Sequence, residues 1–206
     1  EVKKLLQNTN INVNTKTGVD GVAPLHIAVK NGNYEIAELL LKNNADPVIL
    51  KTRKGSTPLH IACWYGHINI VALLIAKHKE LIAKNNDVDM LNKRMLDGAT
   101  PLFIAAQEGK DVCVEKLIAE KVNVNLFKSN NATPLYIASR NGHKNIVKKL
   151  IEANADVKIA LKDNGVTPLY KAVENGHENI VNQLIAANAD VNIELKGNGV
   201  APPDAV

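Results

Sequence analysis

The chain has 206 residues, 46% of them hydrophobic but only 3% aromatic, and carries a net charge of +4 from 25 basic and 21 acidic side chains. That apolar content supports a buried core, and the scarcity of aromatics means the core is built from Leu, Ile, Val and Ala. The interspersed charges form no basic stripe of the kind nucleic-acid binding uses, no apolar run nears the roughly 18 to 20 residues of a membrane span, and Glu1-Val2-Lys3-Lys4 lacks the layout of a secretory signal.

Glu1-Val2-Lys3-Lys4-Leu5-Leu6 is similar to Asn145-Ile146-Val147-Lys148-Lys149-Leu150 further on, so the chain is expected to open inside the second helix of a partial unit, residues 1–17. A proline tripeptide then recurs. It stands as Ala23-Pro24-Leu25, Thr57-Pro58-Leu59, Thr100-Pro101-Leu102, Thr133-Pro134-Leu135, Thr167-Pro168-Leu169 and a decayed Ala201-Pro202-Pro203, at intervals of 34, 43, 33, 34 and 34 residues. Periods of this size mark stacked arrays of helical units. Full units are assigned to residues 18–51, 52–94, 95–127, 128–161 and 162–195, with a partial one at 196–206, all within one repeat domain. From the truncated first and last units the chain is expected to be a fragment of a longer protein, or a trimmed one.

Each unit reads the same way. In the fourth, Thr133-Pro134 fits a helix start, since the hydroxyl can cap a free amide and proline has no amide to leave unpaired. Gly142 can end that helix in the left-handed conformation. A second helix follows, with Ile146, Val147, Leu150 and Ile151 on one face and lysines on the other. Asn154 through Leu161 then reads as a projecting loop or hairpin. Helices this short are marginal alone, so 146, 147, 150 and 151 must pack on Ile180, Val181, Leu184 and Ile185 of the next copy. The expected whole is an elongated, slightly curved slab.

The second unit is nine residues longer, and most of the excess is a duplication: Leu74-Ile75-Ala76-Lys77 returns seven residues later as Leu81-Ile82-Ala83-Lys84. Seven residues are close to two helical turns, so the insertion is predicted to extend the second helix at least to Ile82, about 10 Å further, on the same apolar face. His78, inside it, is expected to face solvent.

Three markers recur with fixed spacing. They are a glycine three before the proline (Gly21, Gly55, Gly98, Gly165), then Asn31-Gly32-Asn33, Tyr65-Gly66-His67, Glu108-Gly109-Lys110, Asn141-Gly142-His143 and Asn175-Gly176-His177, then Asn44-Ala45-Asp46, Asn154-Ala155-Asp156 and Asn188-Ala189-Asp190. Together these closely resemble the ankyrin repeat over almost the whole chain. The resemblance implies an all-α solenoid of helix-turn-helix units with loop or hairpin fingers. It also implies a non-catalytic module that binds another protein or peptide on its concave face, without cofactor or metal.

In that family, histidines such as His26, His60, His67, His143 and His177 tie turns and neighbouring units together. Their whole-repeat spacing here separates them too far for shared metal ligation. Cys63 and Cys113 occupy apolar helical positions and read as small buried hydrophobes in a reducing, cytoplasmic setting. No nucleophile elbow, zinc-protease helix or phosphate loop is present.

The resemblance carries partner contacts onto two sets of positions. The helix pairs are Lys30-Asn31, Trp64-Tyr65, Gln107-Glu108, Arg140-Asn141 and Glu174-Asn175. The finger positions, five, four and two before the proline, are Val19, Asp20 and Val22; Arg53, Lys54 and Ser56; Leu96, Asp97 and Ala99; Ser129, Asn130 and Ala132; Asp163, Asn164 and Val166. The single tryptophan beside a tyrosine is the outstanding pair, since Trp, Tyr and Arg dominate interface hot spots. With Arg53 and Lys54 on the finger, this patch suits a partner offering an apolar anchor and a carboxylate. The competing reading lays Trp64 flat on the neighbouring helix. A second function class makes the chain the targeting or scaffolding segment of a larger protein, such as a secreted bacterial effector acting in host cytoplasm or a channel-like protein; its 26 asparagines, with abundant Lys and Ile, fit an AT-rich genome. A third sees Asn192, in Asp-Val-Asn, as similar to asparagines hydroxylated in animal cells. The expected state is a monomer without membrane insertion, with end-to-end packing as the route to a dimer.

Overall fold

A computed structural model describes residues 12–50, 53–84 and 89–192. The similarity of Glu1–Leu6 to a second helix and the decayed tripeptide at 201–203 lie outside these residues. Among them are ten helices: α1 (Pro24–Lys30), α2 (Tyr34–Lys42), α3 (Pro58–Tyr65), α4 (Ile68–Ala83), α5 (Pro101–Gln107), α6 (Asp111–Ala119), α7 (Pro134–Asn141), α8 (Lys144–Glu152), α9 (Pro168–Glu174) and α10 (Glu178–Ala186). The chain divides into two compact units, 1–101 and 102–206.

Within each unit the local rules are obeyed. The hydroxyls of Thr57, Thr133 and Thr167 accept the amides of His60, Tyr136 and Tyr170 at 3.4, 3.0 and 3.2 Å, and proline fills the first turn of α3, α7 and α9. Gly142 ends α7 at φ +79°, left-handed geometry that costs glycine nothing. Past each second helix, Asn44, Asn154 and Asn188 take φ of 62°, 61° and 60°, which explains asparagine in the third marker.

The core is mainly aliphatic. Leu25, Leu59, Ile70 and Leu74 are sealed in the first unit, and Leu117, Leu135, Ile146, Leu150 and Leu184 in the second. Each such side chain contributes about 1.5–3 kcal/mol of burial free energy. On α8, Ile146, Val147 and Leu150 are buried as expected, and α8 lies against α10. On α10, however, only Ile180 and Leu184 are buried, while Ile185 is exposed.

α4 runs to Ala83 over 16 residues, against nine for α6, α8 and α10, so the duplicated segment does extend the second helix by seven residues. His78 corrects the expectation of a solvent-facing ring: it is only 9% exposed. Its place follows from the helical repeat, because 71, 74, 75 and 78 lie on one stripe, and that stripe is the buried one.

The fingers are loops closed by single bonds rather than strands. Among the described residues one antiparallel bridge occurs, Thr17 with Val22; elsewhere Met95 N donates to Ala99 O at 2.8 Å, Lys128 N to Ala132 O at 3.0 Å and Leu161 N to Val166 O at 2.9 Å.

Candidate interaction face

Fingers within a unit are stitched to each other through backbone. Leu96 N donates to Lys54 O at 3.0 Å in the first unit, and Lys162 N to Asn130 O at 3.1 Å in the second. The residue four before the proline pins the base of its finger: Asp97 Oδ1, Asn130 Oδ1 and Asn164 Oδ1 accept the amides of Ala99, Ala132 and Val166. That turn folds the residue two before the proline inward. Ala99, Ala132 and Val166 are consequently buried; Ser56 is buried too and Val22 half-buried, so these positions belong more to the core than to an accessible binding set.

At the other end of the first helices, histidines clasp neighbours. Nε2 of His67, His143 and His177 donates to the carbonyls of Lys30, Gln107 and Arg140 at 3.2, 3.2 and 3.1 Å. Asn141 and Asn175 reinforce the clasp, their Nδ2 donating to the same Gln107 and Arg140 carbonyls at 3.0 and 2.6 Å. These two asparagines, expected to offer their side chains to a partner, spend them on cohesion between adjacent helices.

The remaining expected contacts differ between units. In the second, Gln107 Nε2 donates to Glu108 Oε1 at 2.8 Å, and Lys171 pairs with Glu174, so Gln107, Glu108 and Glu174 are already engaged; Arg140 is exposed. In the first, Lys30, Asn31 and Lys54 are exposed. Arg53 projects with its side chain 77% exposed, its Nε 3.6 Å from Asp20 Oδ1 on the preceding finger.

Trp64 and Tyr65 close α3 with 44% and 45% of their surfaces exposed. Tyr65 stacks on the His67 ring, centroids 5.7 Å apart and planes inclined by 14°. Ile27, on neighbouring α1, is also exposed. Among the described residues the first unit thus exposes large apolar side chains on both of its complete first helices and at fingers through Val19 and Leu96; in the second unit they are Val112, Phe127, Ile185 and Val191, none on a first helix. Val19 and Leu96, expected at the fingers, are exposed; sequence reasoning missed Ile27, whose outward register on α1 is its only signal.

Cys63 and Cys113 are buried thiols, and burial pushes the Cys113 thiol's pKa upward, away from the nucleophilic form. Among the described residues no helix is long and apolar enough to cross a membrane. Asn192 is exposed, and its backbone N–H donates to Asp190 Oδ1 at 2.9 Å.

Comparison with known families accords with this geometry. Residues 1–85 and 77–163 match the family model "Ankyrin repeats (3 copies)", and residues 164–195 match "Ankyrin repeat". A search of curated proteins finds no match. Helical hairpins with capped starts, left-handed stops, histidine clasps and stitched fingers, matched over residues 1–195, place this chain in the ankyrin-repeat family.

Proposed function

We propose that this chain is a non-catalytic protein-interaction module of the cytoplasm whose partner, a protein or peptide, docks on the first-helix and finger side of the first unit. Ankyrin repeats are generally protein-protein interaction modules, and the family is typically non-catalytic. The observation that carries the location is the exposure of Trp64 and Tyr65 on α3, with Ile27 exposed on the neighbouring α1. A half-exposed tryptophan leaves apolar surface in water, and covering it by a partner recovers that free energy. Tyr65 is held by its stack on His67, so little rotamer freedom is lost on binding.

The test is Trp64→Ala in the full chain, with helicity and melting temperature as folding controls. Binding of a selected partner should weaken by about 30-fold or more, the loss of a hot spot of about 2 kcal/mol. Unchanged affinity in a folded variant would move the site elsewhere.

A further inference from the structure

We propose that the partner of the first unit carries a carboxylate that displaces Asp20 from Arg53, set at least about four residues along an extended chain from an apolar side chain seated on Trp64. This inference rests on the interaction reading above and adds the partner's chemistry. Its basis is an unsatisfied ion pair. Arg53 Nε and Asp20 Oδ1 stand 3.6 Å apart, too far for a hydrogen bond, and that Oδ1 is shielded from water without accepting any hydrogen bond.

Asp20 therefore holds Arg53 by charge alone. The guanidinium, largely exposed, can still offer paired N–H donors, and a carboxylate arriving from outside can take them in the bidentate geometry that Asp20 lacks. Exposed Lys54 on the same finger and Lys30 on α1 add positive charge on this side of the unit. Spacing follows from the helix between the two contacts: α3 has eight residues, Pro58–Tyr65, or about 12 Å at 1.5 Å per residue. An extended peptide covers that in about four residues at roughly 3.3 Å each.

A displayed library of random 12-residue peptides is selected on the full chain, and enriched sequences are synthesised and titrated by fluorescence polarisation. Enriched peptides should pair Asp or Glu with Leu, Ile, Phe or Trp at that spacing. For these, Arg53→Gln should weaken binding about tenfold, the worth of a charged hydrogen-bonded contact, and Asp20→Asn should tighten it about threefold. Replacing the peptide's acid by its amide should erase both effects. Peptides that lose binding to Trp64→Ala yet ignore Arg53→Gln and Asp20→Asn overturn this inference and leave the interaction face standing. Binding that survives Trp64→Ala, or a selection that enriches nothing, overturns both.

Discussion

At the third position of the first helix the first unit carries His26 and His60, whereas the second carries Phe103, Tyr136 and Tyr170. The histidines are bolts. His26 Nδ1 accepts the Ala23 amide at 3.0 Å while its Nε2 donates to Ile49 O at 2.9 Å, and His60 Nδ1 accepts the Thr57 amide at 3.2 Å while its Nε2 donates to Ala99 O at 3.1 Å. A carbonyl can only accept and an amide only donate, so both rings are fixed as the neutral Nε2–H tautomer. In the second unit the position is filled instead by packing: Phe103 and Tyr136 are buried, and Lys128 Nζ sits 5.3 Å from the Phe103 ring centre. One backbone is thus held at equivalent points by directional bonds in one unit and by aromatic volume in the other. Only the first arrangement depends on a proton.

The largest expected effect breaks that bolt. Burial drives the His60 pKa down to about 4, against the ordinary 6.5, with the Ala99 carbonyl opposing. Between those values the unfolded chain binds the proton and the folded chain does not, so stability is full above about pH 6.5 and is lost as pH falls toward 4. The loss is about 2 kcal/mol by pH 5 and about 3 kcal/mol by pH 4. His60→Phe, which imports the second unit's solution, should cost about 3 kcal/mol at pH 7 by stranding the Ala99 carbonyl and the Thr57 amide. It should also remove this part of the acid sensitivity, so that the two urea-denaturation curves approach each other as pH drops from 7 to 5. A constant gap across that range would mean that His60 is not the titrating bolt.

A device common to both units serves as the control. A methyl group on Gly32 would stand 2.9 Å from the His67 ring, and one on Gly142 2.8 Å from the His177 ring, both glycines having positive φ; at Gly176 nothing lies within 4 Å. Gly32→Ala and Gly142→Ala should each cost about 2 kcal/mol, and Gly176→Ala about 1 kcal/mol, the strain of left-handed alanine without the clash. Equal melting-temperature losses at Gly142 and Gly176 would show that the histidine clasp yields freely. A difference between Gly32 and Gly142 would show that the clasp, too, is specific to one unit.

Sequence periodicity was enough for the repeat and its helices because caps, stops and apolar stripes are local. Thr133, Gly142 and Ile146 each announce their role within one turn of chain. The seven-residue extension of α4 was legible for the same reason, as a helical repeat written twice. What failed were readings of single side chains whose roles are set by neighbours in space. His78 is polar in sequence, yet it falls on the buried stripe; Ala99, Ala132 and Val166 look available until the side-chain bond two residues earlier turns them inward. At the candidate face the residue types alone singled out Trp64 and Tyr65. They gave no hint that Asn141 and Asn175 are spent on carbonyls of the preceding helix, or that Arg53 already leans toward Asp20.

The smallest effect concerns the position five residues past the proline, where Cys63 in the first unit corresponds to Ser139 in the second. Both are fully buried, but Ser139 Oγ finds no hydrogen-bond partner. A desolvated hydroxyl without a partner is a standing cost, and sulfur at the same place carries little of it because a thiol is weakly polar. Ser139→Ala should therefore stabilise the chain by about 1 kcal/mol. Denaturant midpoints of the variant and the parent chain decide the matter. A raised midpoint would establish that the cost belongs to the hydroxyl. A loss of stability on Ser139→Ala would instead mean that the volume of the side chain, rather than its missing bond, governs that point of the core.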